Sequence, residues 1–153
     1  MRVYFWLLMV VCSLLLFSCT QNLEKKIITE YPNGLPKYVE IYESNDSTKN
    51  LVKQIRYYKN GEKEEEGEFL NGLKHGEWTY WYENGNVWSQ GYFKNGLRDG
   101  KTIVYYENGN KHYSGFYTNS KSDKKWTFWN SEGKKTKEVI FDKGKIIEEK
   151  EFN

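Results

Sequence analysis

The spacing of glycine is the feature that most restricts what this chain can fold into. Of its 13 glycines, 12 lie on one lattice with a period of 24 residues, and only Gly34 falls outside it. The longest glycine series is Gly61, Gly85, Gly109 and Gly133, and an aromatic series with the same period is Tyr57, Trp81, Tyr105 and Trp129. Self-similarity at a fixed period of this length is the signature of a repeat protein whose neighbouring units stack.

Each unit contains two turn signals. The short one is Asn84-Gly85, and Asn-Gly between apolar stretches favours a tight hairpin because both residues accept positive φ. The long one occupies residues 71–76 and recurs at 95–100. The stretches between turns are rich in Tyr, Trp, Phe, Thr, Val and Ile, which is typical of strands. The sequence therefore predicts an all-β fold, a single elongated, twisted antiparallel meander with one hairpin per repeat.

Composition agrees with this fold class. The chain has no Ala, the best helix former, which argues against a long helical bundle. Aromatic residues make up 18% of the chain, which argues against disorder. The formal net charge of +2 is too small to favour nucleic acid as a partner.

Residues 1–18 read as a signal peptide that is separate from the fold. The apolar stretch from Val3 to Phe17 is shorter than the ~20 residues of a spanning helix and suits the apolar region of a signal peptide. It ends at Ser18-Cys19, in a segment that resembles a bacterial lipobox. This resemblance implies cleavage after Ser18 and a lipid on Cys19. The alternative is an ordinary signal peptide with a chance cysteine.

The lipid would define the domains and the location of the mature chain. Residues 19–25 are expected to form a lipidated tether, residues 26–153 the repeat domain, and residues 44–50 a polar loop inside it. The lipobox resemblance implies a bacterial cell envelope, and Thr20 in place of Asp after the cysteine favours the outer membrane. Because Cys12 leaves with the signal peptide and Cys19 carries lipid, no thiol remains for a disulfide, a metal or a nucleophile.

The full repeat pattern resembles a known family. Residues 67–85, 91–109 and 115–133 share the arrangement Gly-x-aromatic, Asn-Gly-Leu, Gly-x-Trp and Glu-Asn-Gly, with substitutions in the second and third units. This pattern is similar to the MORN-repeat variant of bacterial proteins, many of which are labelled YwqK family antitoxins of toxin–antitoxin systems. The resemblance implies a scaffold of β-hairpins, and an antitoxin or immunity role against a partner toxin.

Hairpin register decides which aromatic residues share a face. With a two-residue turn at Asn84-Gly85, Trp78 lies opposite Gly91 and Trp126 opposite Val139, while Trp81 pairs with Trp88 and Tyr105 with His112. A type I turn with a G1 bulge would shift this register by one residue. The face of Trp78 and Trp126 is the more apolar and is the predicted core.

The opposite face is the candidate binding surface. Its residues are Trp81, Trp88, Tyr105, His112 and Trp129. Exposed aromatic side chains of this kind stack on sugar rings or dock a protein. The alternative is that they only pack across strands and stabilise the sheet.

Groups for catalysis are sparse. His75 lies in the long turn, where its repeat equivalents are Asp99 and Asp123, so it reads as a turn residue. We therefore expect no enzyme activity, no catalytic residue, no metal site and no cofactor. Three functions stay open: a lipid-anchored module that binds a protein or an envelope glycan, an antitoxin or immunity protein, and, least favoured, a hydrolase using His75 or Glu64.

Overall fold

The computed structural model describes residues 22–45 and 48–153, nearly all of which lie in strands or their turns. The predicted signal peptide, the cleavage site at Ser18, the lipid site Cys19 and the first residues of the tether lie outside the described residues. No helix in the described part is long and apolar enough to cross a membrane.

The fold is one open antiparallel sheet of 11 strands in chain order, as the repeat predicts. The strands are β1 (Leu23–Glu30), β2 (Pro36–Asn45), β3 (Thr48–Tyr57), β4 (Lys63–Leu70), β5 (Leu73–Trp81), β6 (Val87–Lys94), β7 (Leu97–Tyr105), β8 (Lys111–Thr118), β9 (Lys121–Trp129), β10 (Lys135–Asp142) and β11 (Lys145–Glu151). Every strand pairs only with its neighbours along the chain.

Two segments that were predicted to be irregular contain strand residues. β1 begins at Leu23, within the expected tether 19–25, and pairs with β2 from Leu23↔Glu43 onward. Most of the expected loop 44–50 also belongs to strands, because Glu43 pairs with Asn50 and Ser44 with Lys49. Both predictions relied on the polar character of the side chains. Strand pairing uses backbone N–H and C=O groups, which form the same hydrogen bonds in a polar segment as in an apolar one.

The short turns hold more residues than a two-residue hairpin. Between β5 and β6, Trp81 pairs with Val87 and Tyr80 with Ser89, so that Trp88 is an extra, bulged residue. Of the residues in this turn, only Gly85 has a positive φ, of 85°, whereas a type I′ turn needs two. The predicted pairs Trp78↔Gly91 and Trp126↔Val139 are confirmed.

The predicted pairs at the turn ends are wrong. Trp81 does not oppose Trp88, and Tyr105 pairs with Lys111 rather than His112. The bulge accounts for both corrections, since it inserts one residue into the strand that leaves each turn.

Hydrogen bonds tie each hairpin to the next at both ends of the strands. At the short turns, the hydroxyl of Tyr58 donates to the carbonyl of Trp81 at 2.7 Å, and the hydroxyl of Tyr82 donates to the carbonyl of Tyr105 at 2.8 Å. At the long turns, the amide of Gly96 donates to the carbonyl of Lys74 at 2.9 Å. The repeats are therefore held in register beyond their strand ladders.

The core of the repeat units lies on the face that carries Trp78, here called the Trp78 face. Trp78 is 0% exposed, and Val104, Trp126 and Val139 are also buried on this face. The Trp78 ring meets the edges of Phe69 and Phe93 at centroid distances of 5.4 and 6.0 Å. The predicted core face is therefore confirmed for these units.

β2 and β3 bury apolar side chains on the opposite face. Val39 is 0% exposed and pairs with Ile55, which pairs in turn with Glu66. Glu66 pairs with Thr79, whose neighbour Trp78 points the other way. The apolar side of the sheet thus changes from one face to the other between β3 and β5. The face of Ile55, Thr79 and Trp81 is called the Trp81 face below.

Candidate functional site

The structure divides the five predicted binding residues between the two faces. Trp81, Tyr105 and Trp129 end β5, β7 and β9, lie on the Trp81 face and are half-buried. The Trp88 ring instead lies 6.0 Å from that of Tyr80, on the Trp78 face. These five residues therefore do not form a single surface.

His112 also leaves the predicted surface. Its ring stacks on Tyr106 at a centroid distance of 4.3 Å and meets the edge of Tyr113 at 5.3 Å. His112 and Trp88 are equivalent bulged positions, and a bulge redirects the side chain that it adds.

The aromatic residues that remain form a regular row with lysine. This row, called the aromatic ladder, consists of Tyr57, Lys63, Trp81, Val87, Tyr105, Lys111, Trp129 and Lys135, one residue from each strand of β3 to β10. Adjacent strands lie about 4.8 Å apart, so aromatic residues recur at about 9.6 Å along it.

Lysine ammonium groups lie close to the rings of the aromatic ladder. The Nζ atom of Lys63 is 5.6 Å from the ring centroid of Trp81, and that of Lys111 is 5.7 Å from the ring centroid of Trp129. A cation at this distance is attracted by the electron-rich face of an aromatic ring. The aromatic ladder is therefore a mixed apolar and cationic surface.

Two glutamates beside the aromatic ladder are each held by two lysines, an arrangement called a clamp here. Oε1 of Glu66 accepts a hydrogen bond from Lys53 at 2.9 Å, and Oε2 accepts one from Lys63. Oε1 of Glu138 lies 3.0 Å from the Nζ atom of Lys125 and 2.9 Å from that of Lys135. The two clamps are separated by three repeats.

The clamps shift the ionisation of both carboxyl groups. Burial opposes ionisation of Glu66, but the hydrogen bonds from Lys63 and Lys53 outweigh it and hold its pKa below the usual range. The hydrogen bonds from Lys135 and Lys125 likewise lower the pKa of Glu138. Both glutamates are therefore anionic at neutral pH, and their clamps are intact.

Two grooves lie near the N-terminal end of this surface. One, of about 360 Å³, is lined by residues that include Lys53, Glu66 and Trp81. The other, of about 400 Å³, is lined partly by Leu23, Ile41 and other apolar side chains. Sequence reasoning missed both grooves, and the second is lined partly by β1 and β2, which break the 24-residue rhythm.

The predicted turn position of His75 is wrong, because His75 lies in β5 opposite Glu68 and only Asn71 and Gly72 form the turn. Its equivalents Asp99 and Asp123 accept backbone N–H bonds from Asn119 and Lys143, at 3.2 and 3.4 Å. The Nδ1 atom of His75 is buried and has no hydrogen-bond partner. In residues 22–45 and 48–153, no group of three or more His, Cys, Asp or Glu side chains is placed to hold a metal ion.

Comparison with known proteins identifies the repeat. The family model described as MORN repeat variant matches residues 51–71, 74–95 and 98–119. The match thus covers three of the four hairpins whose short turns the glycine lattice marked, and it indicates a repeat-based binding or scaffold module. The description of this family does not mention an antitoxin.

Other comparisons add little about function. A search of curated proteins finds no match. A crystal structure of a protein with unknown function from Bacteroides fragilis NCTC 9343 aligns with 87% of this chain and 94% of its own. The two are 12% identical, with a TM-score of 0.25.

Proposed function

We propose that this chain is a non-enzymatic binding module, held at the bacterial cell envelope by a lipid on Cys19, that engages its partner through the aromatic ladder. The observation that carries the proposal is the ladder itself. It presents aromatic and cationic side chains at a constant step on the Trp81 face, while the repeat units bury their core on the Trp78 face.

Aromatic side chains in such positions have a structural alternative. Cross-strand neighbours stabilise a sheet by roughly 0.2–1 kcal/mol for each pair, so the ladder could serve stability alone. If the ladder serves binding, truncation of the half-buried Trp81 and Trp129 should change stability little, unlike truncation of the fully buried Trp78. If the ladder serves stability alone, truncation of Trp81 and Trp129 should destabilise the sheet.

Affinity capture from native envelopes tests the binding role. The bait is the tagged full chain with Cys19 intact, lightly crosslinked, and bound proteins are identified by mass spectrometry. We expect the variant carrying Trp81→Ala and Trp129→Ala to lose its partner and to melt within a few degrees of the parent.

Trp88→Ala is the matched control, because Trp88 is 46% exposed but lies outside the aromatic ladder. It should retain the partner. Equal capture by both variants would overturn the binding role, as would a collapse in stability of the ladder variant. A captured toxic protein would change the function to immunity, as the antitoxin resemblance implies.

The anchor is tested separately with Cys19→Ala. We expect labelled palmitate to enter the parent chain and not the variant, and the variant to leave the membrane fraction. Separation of inner and outer membranes then tests the preference inferred from Thr20. Palmitate incorporation into the Cys19→Ala variant would rule out lipidation at this residue.

A further inference from the structure

One position equivalent to the two clamps keeps both lysines but lacks the glutamate. Lys125, Glu138 and Lys135 form one clamp, and the residues one repeat earlier are Lys101, Ser114 and Lys111. Both lysines are kept at this position, while the carboxylate is replaced by a hydroxyl group.

The strand pairing keeps these three residues in the arrangement of the clamps. Ser114 lies opposite Ile103 on β7, just as Glu138 lies opposite Thr127 on β9. Tyr105 opposes Lys111 as Trp129 opposes Lys135. The two lysines therefore stand at the same strand positions relative to Ser114 as Lys125 and Lys135 do relative to Glu138.

The charge at this position is not balanced within the chain. Among the described residues, no carboxylate oxygen lies within 4 Å of the Nζ atom of Lys101 or Lys111. The Nζ atom of Lys124 adds a third positive charge nearby, 3.8 Å from the ring centroid of Phe116. Phe116 pairs with Lys101. This part of the Trp81 face is accordingly complementary to an anion.

The remaining repeat does not have the same feature. There the equivalent residues are Glu77, Gln90 and Val87, so that one lysine is replaced by an acid and the other by an apolar side chain. The Nε2 atom of Gln90 donates to Glu77 at 3.2 Å, which closes this position internally. Among the four equivalent positions, a pair of lysines without a carboxylate thus occurs only in the unit of Ser114.

We propose that Lys101, Ser114 and Lys111 receive a glutamate or aspartate side chain of a partner protein, which completes the third clamp. This inference rests on the proposed binding role and names the chemistry of the partner. The equivalent positions hold a glutamate at 2.9–3.0 Å, and Tyr105 and Trp129 supply the apolar contact typical of protein interfaces.

The test uses the full chain in neutral detergent, with poly-L-glutamate as the probe and fluorescence anisotropy as the readout. Ser114→Glu places the missing carboxylate within the chain. We expect this variant to bind the probe roughly threefold to tenfold more weakly, as expected for two exposed ion pairs. Ser114→Gln, of similar size and neutral, should weaken binding less than Ser114→Glu does, because it leaves both lysines without a carboxylate.

Charge-matched variants separate this site from general attraction to a polyanion. Lys101→Gln with Lys111→Gln should weaken binding as strongly as Ser114→Glu. Lys59→Gln with Lys94→Gln removes the same charge from residues outside the site and should change affinity by less than about twofold. Equal losses in the two double variants would overturn the site.

Polygalacturonate, a linear polymer with a carboxylate on each sugar ring, tests the class of partner. Tighter binding of polygalacturonate than of poly-L-glutamate would overturn a protein partner in favour of an acidic glycan. If neither polymer binds while envelope capture still depends on Trp81 and Trp129, this inference fails and the proposed function stands.

Discussion

The repeat units solve the same packing problem in two ways. In the first and third units, a tryptophan covers the strand glycine: a Cβ atom on Gly67 would lie 2.1 Å from the ring of Trp78, and one on Gly115 would lie 2.2 Å from Trp126. In the middle unit, Thr102 replaces the tryptophan, and a Cβ atom on Gly91 would lie 3.3 Å from its Oγ1 atom. The middle unit thus has the repeat glycine although no tryptophan ring covers it.

Hydrogen bonds from these side chains to backbone carbonyls reflect the same replacement of tryptophan by threonine. The indole Nε1 atoms of Trp78 and Trp126 donate to the carbonyls of Glu68 and Phe116 at 3.1 and 3.2 Å. Thr102 keeps a hydrogen bond of this kind, because its hydroxyl donates to the carbonyl of Gln90 at 3.3 Å. What the middle unit lacks is the large buried ring.

Truncation of the covering residues should give the largest effect. We expect Trp78→Ala to lower the free energy of unfolding by about 3–5 kcal/mol, because it leaves a cavity on the Trp78 face. Thr102→Ala should cost about 1 kcal/mol, the contribution of its hydrogen bond. Urea denaturation of both variants measures the difference, and similar losses would show that the units are packed alike.

Replacement of the strand glycines by alanine should give the second largest difference in stability between the units. Gly67→Ala and Gly115→Ala force the covering rings to move and should each cost roughly 1–3 kcal/mol. Gly91→Ala should cost less than about 1 kcal/mol, because only the hydroxyl of Thr102 must shift slightly. Equal melting temperatures for Gly67→Ala and Gly91→Ala would contradict the role of the tryptophan cover.

Replacement of Thr102 by tryptophan, the residue of the other two units, tests whether the middle unit has space for the ring. The depression beside Thr102 has a volume of only about 10 Å³, between side chains such as Tyr80 and Tyr117. We therefore expect Thr102→Trp to destabilise the protein by roughly 1–2 kcal/mol through overpacking. A rise in the melting temperature would show instead that the neighbouring rings adapt and that the middle unit is underpacked.

The pH dependence of stability should show the smallest difference. The ring of Tyr113 stacks on Trp126, and burial raises the pKa of its hydroxyl above the ordinary value of 10.0. Because the folded state holds this proton more tightly, the contribution is fully present below pH 10.0 and is lost as the pH rises through the folded pKa.

Tyr113→Phe should accordingly lose less stability above pH 10.0 than the parent does, and its profile at lower pH should be flat relative to the parent. Urea titrations at several pH values measure this, with Thr102→Val as a control that removes no titrating group. Parallel curves for Tyr113→Phe and the parent would rule out this contribution.

The fold could be predicted from the sequence because glycines mark positions that the backbone conformation requires. Gly85 and its equivalents adopt positive φ in every short turn, so their period gives the period of the hairpins. The register near each turn could not be predicted in this way. It depends on the φ of Asn84, and asparagine is compatible with either sign.

The binding surface was predicted in part for the same reason. Trp81, Tyr105 and Trp129 precede the turns and keep their face whatever the turn geometry, whereas Trp88 and His112 follow the turns and are redirected by the bulge. The clamps were visible in the sequence as lysines and glutamates at multiples of 24 residues. They were missed because the period was traced through glycine and aromatic residues only.

The chain order of the strands has a mechanical consequence. Because each strand is bonded only to its neighbours in sequence, a force that separates the two ends of the sheet acts on one strand ladder at a time. Strands would then separate one at a time from an edge of the sheet. The hydrogen bonds that tie each hairpin to the next, such as that from Tyr58 to Trp81, would break in the same order. A chain of this design would extend gradually under load and shorten again one hairpin at a time.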